Sequence, residues 1–187
     1  ANSSYSVSIA GIGVDADEGL DQKQSNSINS GVQPVIGNAD EIAADNSSHT
    51  TSIAVDQSYL IWGCDGTSTE FATAFSSGTM NYRMTRIWKV QQSGTVGSVK
   101  VAILQSDVPG NVESPYLIVS GDGNTTFGEG GSDAETAMSA ETINSIDYYT
   151  CTYDLDNGDY FTFAGTATYP GGAVSYTHLT LPTMLWV

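Results

Sequence analysis

The chain has 187 residues, 21 of them acidic and 5 basic, for a net charge of −16. Such a chain repels polyanions, which excludes nucleic acid and anionic membrane surfaces as partners. Its length suits one domain with a full core, and no apolar run approaches the ~20 residues of a membrane helix, so no membrane span is expected.

Ser, Thr, Asn and Gly are abundant, helix formers are scarce and strand formers come in short runs. That is the profile of a secreted all-β domain. There is neither a signal peptide nor an initiator Met, so the chain reads as a mature product or a piece of a longer one.

Residues 5–13 (YSVSIAGIG) alternate, with Tyr5, Val7 and Ile9 on one face, and predict a strand. An acidic stretch, 14–30, follows and reads as a long loop. Residues 32–36 predict a short strand that Pro34 marks as an edge. Residues 38–50 are polar, with room for one short turn around Ile42. Strands are expected at 52–55 and 59–64, the latter with Leu60, Trp62 and Cys64 on one face, and a loop over 65–78.

Residues 82–104 (YRMTRIWKVQQSGTVGSVKVAIL) predict a half-buried antiparallel hairpin turning near 92–98. Tyr82, Met84, Trp88 and Val90 share one face of its first arm, and Val99, Val101 and Ile103 one face of its second. Four of the five basic residues, Arg83, Arg86, Lys89 and Lys100, lie here. A turn at 107–115, a strand at 116–119 and a Gly-rich loop at 121–131 come next. Residues 133–144 suit a short helix or an edge strand. Strands at 148–153 and 160–164 flank Asn157-Gly158, a strong hairpin signal. These elements predict an antiparallel β-sandwich, jelly-roll or immunoglobulin-like, of about nine strands. Its core is expected to hold Tyr5, Val7, Ile9, Leu60, Trp62, Trp88, Val90, Val99, Val101, Leu117, Val119, Phe161 and Phe163.

Residues 174–183 (VSYTHLTLPT) resemble the in-frame translation of a transposase-type sequencing adapter. One domain is therefore read over 1–173, and 174–187 as a non-native tail.

Little in the chain suits catalysis. His178 falls in that tail, leaving His49 alone in a Ser/Thr-rich stretch, where a solvent-facing loop residue is expected. No phosphate-binding loop, dinucleotide fingerprint or helical zinc motif occurs, so no cofactor is required and no enzyme is expected. Calcium is the one cation the residues suit, because hard cations take clustered oxygen ligands from flexible loops. Three clusters offer them: Asp15, Asp17, Glu18 and Asp21; Asp122, Asn124 and Glu129; and Asp154, Asp156, Asn157 and Asp159. The same residues equally suit turn capping. Cys64 and Cys151 form either one disulfide, suited to an oxidising compartment, or two separate buried thiols. The ten Tyr, five Phe and three Trp serve either a core or sugar stacking.

Several stretches carry a resemblance when taken together. They are Gly11-Ile12-Gly13, Leu20-Asp21-Gln22-Lys23-Gln24-Ser25, Tyr59-Leu60-Ile61-Trp62-Gly63, Arg86-Ile87-Trp88-Lys89-Val90-Gln91, Val96-Gly97-Ser98-Val99 and residues 156–164 (DNGDYFTFA). In this order, across 5–164, they resemble an uncharacterised β-rich module of large secreted and surface-anchored bacterial proteins of adhesin type. The resemblance implies an extracellular or cell-surface setting and no defined binding residues. Cys64 and 121–124 (GDGN) depart from its pattern. The expectation is a noncatalytic module for adhesion, spacing or self-assembly through strand edges, with neighbouring domains or its own copies as partners. A carbohydrate-binding module, with glycans as partners, and a glycosidase are the alternatives.

Overall fold

The computed structural model describes residues 3–128 and 133–167. After a 3-10 turn at Ser3–Tyr5 come β1 (Val7–Asp15), β2 (Leu20–Gln22), β3 (Gln24–Ser25), β4 (Val35–Asn38) and β5 (Ser58–Cys64). Then follow β6 (Thr73–Ser77), β7 (Met80–Arg83), β8 (Trp88–Ser93), β9 (Val99–Leu104) and β10 (Val112–Ser120). The last are β11 (Ala134–Ala137), β12 (Ser139–Ile143), β13 (Ile146–Tyr153) and β14 (Tyr160–Ala167). They build two antiparallel sheets in a sandwich-like arrangement. The first runs β11-β10-β14-β8-β5-β1-β2, with β7 also beside β14 and β6 beside β7; the second runs β12-β13-β9-β4-β3.

The core lies between the sheets. Leu60, Trp62, Cys64, Trp88, Val90, Leu117, Val119, Phe161 and Phe163 bury themselves from the first, and Ile36, Val99, Val101, Ile103 and Cys151 from the second. At its centre Trp88 stacks on Phe161, with ring centroids 5.5 Å apart, and meets Phe163 edge-on at 5.6 Å. A second, smaller cluster of Met80, Ile87, Ile118, Phe127, Tyr160 and Ala164 also packs Tyr5, Phe75 and Tyr116. Arg83 covers the Phe127 ring and Lys89 the Tyr160 ring.

The predicted 82–104 hairpin is not one. Its first arm breaks at 84–87 into β7 and β8, and β8 and β9 belong to opposite sheets. Their apolar faces meet across the core rather than side by side. The 94–98 crossing is held by Gly94, at φ +70°, and by Thr95 N–H donating to Ser58 Oγ at 2.9 Å. The Asn157-Gly158 stretch likewise crosses between sheets and joins no hairpin. Gly158 N–H donates to the Val90 carbonyl and Val90 N–H to that of Asp159, while Asn157 Oδ1 accepts from Gln92 N–H. Buried Leu155 anchors this turn in the core.

Two other expectations are corrected, and a third resolves to one of its two forms. β4 is interior, flanked by β3 and β9, and Pro34 stands just before it, where its missing N–H costs nothing. Residues 52–55 form no strand, whereas β6 and β7 lie within or beside the expected 65–78 loop. Residues 133–144 resolve as edge strands: β11 in the first sheet and β12 in the second, joined at buried Met138.

The largest correction concerns β1. Val7 and Ile9, expected in the core, are 45% and 57% exposed, and Tyr5 is only half-buried. A bulge between Val7 and Ala10, with Ser8 at φ +53°, inserts an extra residue and changes which side chains face inward. Ser8 is buried instead, its Oγ accepting from Asn29 Nδ2 and Gln33 Nε2, and Ile12 takes the core position opposite Leu60.

Candidate functional site

The predicted calcium ligands are spread over separate turns, and no group of three or more His, Cys, Asp or Glu side chains placed to hold a metal occurs among the described residues. Asp15, ending β1, accepts from the Tyr59 hydroxyl and from Glu18 N–H. The Tyr59 bond holds its carboxyl below the usual carboxylate range. Asp17 is exposed. Asp21 pairs with Lys23 at 3.5 Å and accepts from Ser52 Oγ. Asp122 ties Ser120 and Asn124 into its own turn, and Glu129 lies outside the described residues. Asp154 and Asp156 are exposed; Asp159 is buried, accepts from Asp156 N–H and is pushed up by that burial. Asp15, Asp122 and Asp159 each cap a turn of their own by accepting a nearby backbone N–H.

Cys64 on β5 and Cys151 on β13 enter one core from opposite sheets, and both are free thiols. Burial pushes the Cys151 thiol up to about 12, which leaves it an inert apolar residue at neutral pH. His49 is not the solvent-facing residue expected. It is 1% exposed, its Nε2 lies 3.2 Å from the Glu41 carbonyl and its Nδ1 3.4 Å from the Glu41 carboxylate. Lys23 Nζ donates to its backbone carbonyl. The 39–57 loop has folded down on it, fastened by Asn38, Glu41 and Asn46. His178 and the 174–187 stretch lie outside the described residues.

The feature with binding geometry lies on the outer face of the first sheet. Leu60, Trp62 and Cys64 point into the core, so Tyr59, Ile61 and Gly63 point outward. On neighbouring β1, Gly13 pairs with Tyr59 and Gly11 with Ile61. Neither glycine has a side chain to fill its outward position. A Cβ on Gly13 would lie 2.5 Å from Tyr59 Cδ1, and one on Gly11 3.1 Å from Ile61 Cγ1. The Tyr59 and Ile61 side chains therefore lean across β1 and leave an open trough. Ile9, Ala10, Gly11, Ile12, Gly13, Leu20, Gln22, Tyr59 and Ile61 line its volume of about 350 Å³. Of these, Ile9, Leu20 and Ile61 are each exposed by 41–57%. Lining residues 9–13 make it roughly 16 Å long.

One end of the trough is acidic. The Tyr59 phenol is pushed up to about 12 by its hydrogen bond to Asp15, with the charges of Asp15, Asp56 and Glu18 adding to the effect. Asp56 also accepts from Ala16 N–H at 2.8 Å, which fastens the β1–β2 turn to the turn before β5. Lys89, opposite Gly63 in register, stands over the Tyr160 ring at 4.7 Å. The sequence reading missed this site because it assigned Ile9 to the core. The available signal was Gly11-x-Gly13, two glycines on one face of a strand, where a close approach is the usual reason for glycine.

Residues 1–170 match the family described as Domain of unknown function (DUF8202). The chain belongs to this family. No curated protein and no solved structure matches it.

Proposed function

We propose that the chain is a noncatalytic module of an extracellular bacterial surface protein, acting in adhesion through the outer face of its first sheet. The observation that carries this reading is the gathering of Ile9, Leu20 and Ile61, all exposed, around one trough. Contiguous exposed aliphatics of this kind mark contact surfaces. Toward β7 and β14, by contrast, Met80, Ile87, Phe127 and Tyr160 form a buried cluster.

The trough favours a protein partner over a glycan. A sugar ring needs several directed polar groups, whereas this lining is aliphatic and glycine apart from Gln22 and Tyr59, whose hydroxyl is committed to Asp15. A glycosidase needs a carboxyl raised to act as general acid. Asp15, at the trough's end, is shifted the other way.

Sedimentation velocity on the full chain tests the reading. As salt screens the net charge of −16, the wild type is expected to self-associate through this face, and an Ile9→Lys/Ile61→Lys variant to stay monomeric. Identical behaviour of the two at every ionic strength would remove the contact face.

A further inference from the structure

We propose that the trough takes an extended segment of another protein in which branched aliphatic side chains alternate with Lys or Arg. This rests on the contact-face reading above and names the partner's chemistry. The shape comes first. The lining follows β1 from Ile9 to Gly13 and stays alongside Tyr59 and Ile61 of β5, giving a slot about five residues long and one strand wide. An α-helix, ~10 Å or more across with its side chains, is too broad for a slot of about 350 Å³. An extended chain presents every second side chain to one face, which suits the aliphatic lining of Ile9, Leu20 and Ile61.

Charge selects among extended chains. Asp15, Glu18 and Asp56 surround Tyr59 at one end of the slot. Lys23, the nearest cation in sequence to β2, is 16% exposed and occupied by Asp21 and the His49 carbonyl. A cation on the partner would therefore meet uncompensated carboxylates, while an acidic segment would be repelled. A second copy of this chain is a poor occupant at ordinary ionic strength for the same reason, since its net charge is −16. β2 pairs with β1 only at Gly13, Val14 and Asp15, so residues 7–12 have no strand partner on that side among the described residues.

The test is fluorescence anisotropy of the full chain with a labelled Val-Lys-Val-Lys-Val peptide. Val-Glu-Val-Glu-Val and Ser-Lys-Ser-Lys-Ser serve as controls. The first is expected to bind saturably, and both controls at least about tenfold more weakly. Ile61→Lys should abolish binding. The isosteric Glu18→Gln/Asp56→Asn pair should weaken it and flatten its salt dependence, with circular dichroism confirming that both variants fold. Equal binding of the Ser-Lys peptide, or binding indifferent to Ile61→Lys, overturns the proposal. Loss of peptide binding with salt-dependent self-association retained overturns the partner chemistry alone; loss of both removes the contact face as well.

Discussion

Glu41 shows how single polar residues fold a loop that has little apolar content of its own. Its carboxylate accepts from Thr50 N–H and Oγ1 and from Thr51 N–H, and its backbone carbonyl meets the buried His49 ring. The Thr50 hydrogen bonds hold the carboxyl below its usual range. A depressed carboxylate stabilises the fold fully above its unfolded value of ~4.3 and loses that contribution as pH falls through the folded value. Wild type should therefore melt above Glu41→Gln at neutral pH, and the gap should close as the pH is taken below ~4. A pH series of paired thermal melts reads this; a gap that persists in acid would assign Glu41 a purely steric role. The sequence showed none of it. A lone His among Ser and Thr reads as solvated, and nothing in the local pattern signals that residues nine and ten positions after Glu41 fold back onto it.

Strands were more legible than their partners. Period-two alternation identified β1, β5, β8 and β9, because it reports that one face is buried, and short apolar or aromatic runs identified β10, β13 and β14. It does not report whether the next strand lies alongside or across the core, and both patterns look alike when two sheets share one interior. So β8–β9 and β13–β14 read as hairpins although each pair crosses between sheets. The trough was lost for a related reason: one extra residue at the Ser8 bulge exchanges inward and outward positions, and alternation alone does not reveal a bulge. The 94–98 crossing offers a direct test. Gly94 sits at φ +70°, with a hypothetical Cβ 2.3 Å from Ser58 Oγ. Gly94→Ala should cost at least ~1–2 kcal/mol in urea denaturation from left-handed strain alone. Gly97, also at positive φ but with open space around it, should show the strain without the clash when changed to Ala. Equal losses at the two sites would show that Ser58 yields freely.

On the scale of the whole molecule, charge works against the fold. Twenty-one acidic residues face five basic ones, and several of the bases are engaged locally: Lys100 with Glu141 and Asp40, Arg86 with the Thr67 carbonyl, Lys23 with Asp21. Self-repulsion penalises the compact state, and added salt screens it. The melting temperature should therefore rise as sodium chloride is raised from about 10 mM to about 500 mM, over which range the Debye length shrinks from ~30 Å to a few Å. A falling melting temperature would show that local ion pairs outweigh the global repulsion.

The register of the first sheet also gives the molecule a front and a back. Val7 lies level with Cys64, Cys64 with Trp88 and Trp88 with Phe161. From that line β1 runs one way toward Asp15, and antiparallel β14 runs the other way toward Ala167. The chain therefore enters β1 and leaves β14 toward the same pole. The Asp15–Glu18 turn, with the acidic mouth of the trough beside it, points to the opposite pole. A module of the kind proposed above, tethered at the first pole, would hold out this tip to an approaching partner as a finger does.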